Sequence, residues 1–350
     1  MTEYDKLVLL CLFLKTVMTA NGCEPAEKKY VLENKNVLAS RWTRMTSVES
    51  RGLCAFECQI ELYCVAFAFN EHDRECYLYD RDITGEVYDQ HLNTNIYISN
   101  TRCGLLPTKE NASPESMQAT YAAGARVNYI CSSGCNLDGS PQAHCLPSGD
   151  WHIPTFTCKA MKSCQEAYNL GITVTPTVII RPDPNEEAVT VSCEITNNVV
   201  YTVIGHDVAN KTHVTGYEAR RSYVGTINYN VDLQQVINIV DVSAECEQYI
   251  KFECRGVAIA LAVGLNTRTG TLATYLIGGV KGQNDCACHR NNACVDGLLC
   301  NCQKNDYVLR ADEGYIRYKE DLPITAILIG DTGASSEFAY YTIGNLVCKG

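Results

Sequence analysis

Two stretches of this sequence hold residue types in spacings that could do chemistry. Residues 327–335 read Ile-Leu-Ile-Gly-Asp-Thr-Gly-Ala-Ser, an apolar run that delivers Asp331 to a turn. Paired carboxylates in such a setting share a proton and activate water. Here the pair cannot form, because no second Asp-Thr-Gly occurs and only 19 residues follow Asp331, too few for the rest of a lobe. The second stretch is Cys286-x-Cys288-x5-Cys294-x5-Cys300-x-Cys302, with His289 inside it. Its ligand types suit zinc, but metal fingers favour Cys-x2-4-Cys spacing and an oxidising compartment consumes thiols, so disulfides are expected. A small cysteine-rich insert would also suit the short loops. The seven histidines, at 72, 91, 144, 152, 206, 213 and 289, include no His-Glu-x-x-His pair and are expected on the surface. Neither a Gly-x-Ser-x-Gly elbow nor a Gly-x-x-x-x-Gly-Lys-Ser/Thr phosphate loop is present. No enzyme activity, metal or cofactor is expected.

The cysteines themselves carry the stronger signal. There are 21 in 350 residues, in a chain that is 46% hydrophobic and 20% charged, which excludes disorder and low-complexity classes. The balance of 29 Lys+Arg against 40 Asp+Glu gives a net charge of −11 and speaks against nucleic-acid or other polyanion partners. Residues 1–22 read as a signal peptide: Lys6 precedes the apolar run 7–14 (LVLLCLFL), and Ala20 and Gly22 provide small residues before Cys23. The alternative is a buried N-terminal helix, since Glu3 and Asp5 weaken the positive charge. Removing Cys11 with the leader leaves an even number of cysteines, as complete pairing outside the cell requires. No membrane span is expected, because the next most apolar stretch, residues 257–265, is less than half the ~20 residues a helix needs to cross. The sequons at Asn111 and Asn210 fit a secreted glycoprotein, with Pro114 set against the first.

The elements that must hold these cysteines can be read from spacing. Cys54 and Cys58 stand i, i+4 and share one face of a helix expected over residues 50–63. Val65, Phe67 and Phe69 alternate with Ala66 and Ala68, and residues 76–79 follow the polar turn 70–73, so a hairpin packed on the helix is expected. Val189, Val191 and residues 199–204 suit strands. The 21 tyrosines, against 7 phenylalanines and 2 tryptophans, are expected in strands rather than lining one site, with Tyr340 and Tyr341 as candidate contacts.

These groups resemble known modules. Cys54-x3-Cys58-x5-Cys64-x2-Phe67 followed by Cys76-x-Leu78 resembles the PAN/apple module, a helix on a small antiparallel sheet, and implies Cys54–Cys76 and Cys58–Cys64. Cys103, Cys131, Gly134, Cys145, Gly149-Asp150-Trp151 and Cys158 resemble an all-β sushi (complement control protein) module, implying Cys103–Cys145 and Cys131–Cys158. Such a module is too short to bury enough surface alone, so bridges and a tryptophan serve as its core. Cys135 replaces the aromatic residue usual after Gly134; a bridge from Cys135 to Cys23 would complete the count, and the pairing of these two residues is left open. The opening Ser163-Cys164-Gln165-Glu166-Ala167-Tyr168, with Gly171, resembles an α+β fibrinogen-like domain and implies Cys164–Cys193, although the Asp-x-Asp calcium loop is missing. From Cys246 and Cys254 through Cys286, Cys288, Cys294, Cys300 and Cys302 to Cys348, with residues 312–315, 319–325 and 329–332 between, the chain looks like the fibrinogen-like region of contactin-associated (neurexin-family) proteins. Their laminin-G, EGF and membrane-spanning parts have no counterpart here.

The expected architecture is therefore a multidomain, β-rich α+β mosaic: leader 1–22, PAN/apple-like 23–102, sushi-like 103–160 and fibrinogen-like 161–350. The resemblance implies a secreted adhesion or recognition protein that binds an extracellular protein or glycan. A lectin-like defence protein and a cross-linked matrix component are the alternatives.

Overall fold

The computed structural model describes residues 16–19, 22–25, 30–208 and 210–350. The apolar run expected as a leader and the side chain of Cys23 lie outside the described residues. Of the first residues only the backbone of a hairpin, Thr16–Thr19 against Gly22–Pro25, is described. The chain packs as two compact units, one reaching Ser132 and including Leu137–Cys158, the other comprising Ser133–Asn136 and Lys159–Gly350. Among the described residues no helix is long and apolar enough to cross a membrane.

The first unit begins with a five-stranded antiparallel sheet in the order Tyr30–Ala39, Tyr88–Ser99, Ala66–Asn70, Glu75–Tyr79, Arg44–Ser47. Helix Arg51–Ile60 is shorter at both ends than expected. Ser50 starts it, its Oγ accepting the Leu53 N–H at 3.3 Å, and the buried stripe Cys54, Ala55, Cys58 faces the sheet. Cys54–Cys76 bonds the helix to the strand Glu75–Tyr79, and Cys58–Cys64 bonds it to the segment leading into Ala66–Asn70. The expected hairpin, Ala66–Asn70 against Glu75–Tyr79, is formed and packs on the helix, and because it lies within the sheet every residue of Ala66–Asn70 is buried. Phe67 and Phe69 pack with Tyr30, Leu78 and Tyr97 on the helix side, while Ala66 and Ala68 pack with Leu38, Ile83 and Ile96 on the other. Alternating small and large residues here reflect two covered faces of unequal depth, not one wet face.

Residues 103–158 of the same unit form short strands, Ala112–Pro114, Arg126–Cys131, Gln142–Cys145 and Trp151–His152, in one antiparallel sheet. Cys103–Cys145 and Cys131–Cys158 close its two ends. Trp151 meets Tyr121 edge-on at 5.0 Å and its indole N–H donates to the Gly104 carbonyl at 3.0 Å. The bridges and this aromatic pair stand in for the core that so short a segment lacks.

The second unit is built on an antiparallel sheet ordered Thr177–Ile180, Val189–Thr196, Val199–Ile204, Phe338–Lys349, Glu245–Arg255, Arg310–Ile316, with Thr212–Val214 also pairing Phe338–Lys349. A three-stranded sheet, Tyr223–Thr226, Ala326–Ile329 and Gly264–Asn266, and helix Leu233–Val242 contribute to the same core. Burial along Glu245–Arg255 alternates without a break, so Cys246, Gln248, Ile250, Phe252 and Cys254 face the core and the odd positions face water. Buried Gln248 is hydrogen-bonded at both ends of its amide: its Oε1 accepts from Tyr229 and Ile324, and its Nε2 donates to the Gly344 carbonyl.

Cys246 and Cys348 are direct partners across the two longest strands of this sheet, and their bridge spans a sequence separation of 102. On the chain-entropy argument such a loop restrains the unfolded chain by about 5 kcal/mol, against about 2 kcal/mol for Cys288–Cys294, whose separation is 6. Replacing Cys246 and Cys348 together by Ser is expected to lower the denaturant midpoint markedly more than replacing Cys288 and Cys294; equal shifts in chemical unfolding would contradict this.

Helix Cys164–Asn169 opens with side-chain caps at Ser163 and Glu166. Ser163 Oγ accepts the Glu166 N–H at 3.2 Å, and Glu166 Oε2 accepts the Lys162 N–H at 2.9 Å. Burial pushes the Glu166 carboxyl up, but the Lys162 N–H and the Lys159 ammonium outweigh it and hold the group below its usual value. A folded-state value below the unfolded one means that this stabilisation is present above the unfolded pKa and is lost as pH falls through the folded one. Glu166→Gln is expected to cost about 0.3–1 kcal/mol near neutral pH. Unfolding curves of the two proteins should converge in acid.

Candidate binding surface

The water-facing side of the large sheet gathers aromatic and charged side chains from four strands. Register sets Phe338 opposite Arg255, Tyr340 opposite Glu253 and His213, and Tyr315 opposite Tyr249. His213 stacks on Tyr340 at 4.8 Å, and Phe338 meets Tyr340 edge-on at 5.5 Å. Lys211 Nζ stands 4.3 Å over the Tyr340 ring while pairing with Glu253 at 2.8 Å, and the Arg255 guanidinium lies 5.8 Å from the Phe338 centroid. Farther along, Tyr249 and Tyr315 are 5.3 Å apart, Arg317 lies 4.9 Å over Tyr315, and Arg317 pairs with Glu247 at 2.8 Å. Burial and then the hydrogen bond to the neighbouring Glu313 carboxylate raise the Tyr249 hydroxyl above its usual range.

Local backbone explains why this face is continuous. The register shifts between Gln248 and Ile250, and Gly344 sits at the shift where an added Cβ would stand 3.0 Å from Tyr249 Cβ. Gly344 thus leaves room for Tyr249 on the outer face. Aromatic and Arg side chains in mixed polar company are what protein and glycan contacts are made of. Of the two tyrosines marked in the sequence, only Tyr340 belongs to this face. Tyr341 points inward, 3% exposed, with its hydroxyl 3.0 Å from that of Tyr223. The rest of the face went unread, although the strict alternation of Glu-Cys-Glu-Gln-Tyr-Ile-Lys-Phe-Glu-Cys-Arg was the signal that could have found it.

The cysteine-rich tract is a bonded framework rather than a thiolate centre. Cys286 bonds Cys300, Cys288 bonds Cys294, and Cys302 reaches back to Cys254 on the large sheet. Cys164 bonds Cys193. Buried Asp312 stands near Cys286 and Cys300, yet its two oxygens accept the Asn301 and Cys302 N–H groups, each at 2.8 Å. Burial raises its carboxyl above the ordinary value against the pull of those donors. Asp312 thus caps the turn Asn301–Lys304. Asp331, in a turn with φ 56°, accepts the Ala258 N–H through Oδ2 at 2.6 Å, also a structural task.

Cys135 carries a free, half-buried thiol, while the side chain of Cys23, its candidate partner, lies outside the described residues. At the two sequons, Asn111 Nδ2 donates to the Cys158 carbonyl at 3.4 Å, whereas Asn210 is exposed. His144 departs from the surface setting expected of histidines, being 9% exposed.

Comparison with known proteins accounts for much of this layout. Residues 28–103 match the PAN domain. Residues 103–158 match the Sushi repeat (SCR repeat). Across 238 residues, 64% of the chain, the sequence is 31% identical to Contactin-associated protein 1 of Homo sapiens, and equally to the proteins of that name from Rattus norvegicus and Mus musculus. The chain spans only 16% of the length of these relatives. Disulfide-rich PAN and sushi domains mark an extracellular, adhesion-type protein.

If the tract is held by disulfides alone, EDTA should leave the thermal midpoint unchanged and a reductant should lower it. A fall on chelation would place a metal there.

Proposed function

We propose that this chain is a secreted recognition protein. In this reading residues 1–22 are removed, residues 23–102 and 103–160 are PAN/apple-like and sushi-like modules, and residues 161–350 are a fibrinogen-like domain of the contactin-associated type. It binds an extracellular protein or glycan without catalysis. The aromatic and charged face around Tyr340, Phe338, His213 and Arg255 is the observation that carries the reading. The likeness to Contactin-associated protein 1 supports adhesion, and the exposure of Asn210 supports glycosylation at that residue. The test is a screen of the purified full chain against cell surfaces, ectodomains and glycans. Saturable binding that weakens about tenfold or more in the Phe338→Ala, Tyr340→Ala double variant is expected. Elution by free sugar would assign the ligand to glycans and favour the lectin-like form. Absence of saturable binding across the whole panel would overturn the proposal.

One observation favours a second reading. The free thiol of Cys135 gives a cross-linked matrix component a residue with which to bond another chain. A single monomer band on a non-reducing gel would exclude it.

A further inference from the structure

Within the first unit, two contacts between the PAN-like and sushi-like segments stand out among the described residues. At one, Gly124 with φ 86° lies so close to residues 65 and 82 that an added Cβ would stand 2.6 Å from Val65 Cγ2 and 2.7 Å from the Asp82 nitrogen. No titratable side chain takes part in that close approach. The other contact is built around an imidazole.

His144 lies in the strand Gln142–Cys145, directly opposite Arg126 on one neighbouring strand and His152 on the other. From the PAN-like segment, Tyr63 lies flat against it, with ring centroids 5.0 Å apart and planes within 4°. Tyr63 also meets His152 edge-on at 5.9 Å. Asp80, from the same segment, pairs with Arg126 at 3.1 Å. Tyr63, Asp80, Arg126, His144 and His152 together line a cavity of about 340 Å³. His144 Nε2 is buried there without a hydrogen-bond partner. Tyr63, Asp80, Arg126 and His152 are the titratable and charged groups facing it.

A neutral imidazole tolerates one unpartnered nitrogen; an imidazolium does not, since both nitrogens are then donors and the charge must be solvated. Burial, followed by the Arg126 guanidinium, pushes the His144 pKa below its ordinary value, with Asp80 pulling weakly the other way. Tyr63 of the neighbouring segment covers one face of the ring, whereas His152 on the next strand is exposed. Protonation and docking therefore oppose each other. A His whose folded value is lowered contributes stability that is present above the unfolded pKa and is lost as pH falls below it, so the contact weakens in acid.

We propose that the Tyr63–His144 contact is an acid-sensitive latch between the two segments, closed while His144 is neutral and released when the imidazole takes a proton. The bridges Cys103–Cys145 and Cys58–Cys64 keep each side folded, so release is local. The test is hydrogen exchange of the full chain, corrected for intrinsic rates, at about pH 7.5 and about pH 5. Segments 61–64 and 142–146 are expected to lose protection several-fold in acid and to regain it on return to neutral pH. His144→Gln should abolish this pH dependence and His152→Gln should retain it. An unchanged wild-type pattern, or a response in His144→Gln equal to that of the wild type, would overturn the latch. So would a response that disappears in EDTA, which would assign the site to a metal bridging the two imidazoles. Should His144→Gln fail to fold, the C2 proton titration of wild-type His144 decides: its midpoint must lie below the ordinary imidazole value of about 6.5, and a midpoint at or above it refutes the proposal.

Discussion

The bond between Cys246 and Cys348 joins the two longest strands of the second unit at directly opposed positions, and the rest of that unit depends on the alignment. Once these residues face each other inward, the alternation of a strand sends Glu245, Glu247, Tyr249, Lys251, Glu253 and Arg255 to the water side. The final strand follows the same rule and presents Phe338 and Tyr340 beside Arg255 and Glu253. A one-residue slip would bury the charges and expose Ile250 and Phe252. The bridge, and the buried hydrogen bonds that tie Gln248 to Tyr229, Ile324 and Gly344 just before the register shift, oppose that slip. The outer face is thus a product of covalent register.

Much of the architecture was legible because cysteine spacing is a local property. The i, i+4 pair Cys54 and Cys58 gave the helix and its buried face, and the Gly-Asp-Trp before Cys158 pointed to the aromatic pairing that closes the small module. What escaped depends on residues distant in sequence. The two-sided burial of Ala66–Asn70 requires Ile83, Ile96 and Leu38 to arrive from elsewhere, and no window around residue 66 contains them. Pairings inside the cysteine-rich tract were open for the same reason: Cys302 bonds Cys254, on a strand that precedes the tract.

The candidate face was only partly visible. Tyr340 stood out as one of two adjacent tyrosines, but sequence cannot say which of two neighbours faces outward until register is known, and Tyr341 proved to be core. His213 and Lys211 join the face through a short strand paired to the far end of the chain, a contact that only folding creates. Asp331 and Asp312 show the reverse. The motif around Asp331 suggested chemistry, and the fold spends its carboxylate, like that of Asp312, on backbone N–H groups that would otherwise lack partners.

The placement of the bridges also decides how this protein would answer a pull. An adhesion partner held under tension draws on whatever chain can be paid out between covalent stops. Residues enclosed by Cys246–Cys348 are bypassed by that bond, and those within Cys164–Cys193 by another. In the second unit the slack between these stops is the stretch from Glu194 to Glu245, which fully extended reaches on the order of 170 Å at ~3.3 Å per residue. The strand Phe338–Lys349 and its aromatic residues lie inside the protected loop, so force could strip neighbouring strands away while the last two remained bonded at Cys246 and Cys348.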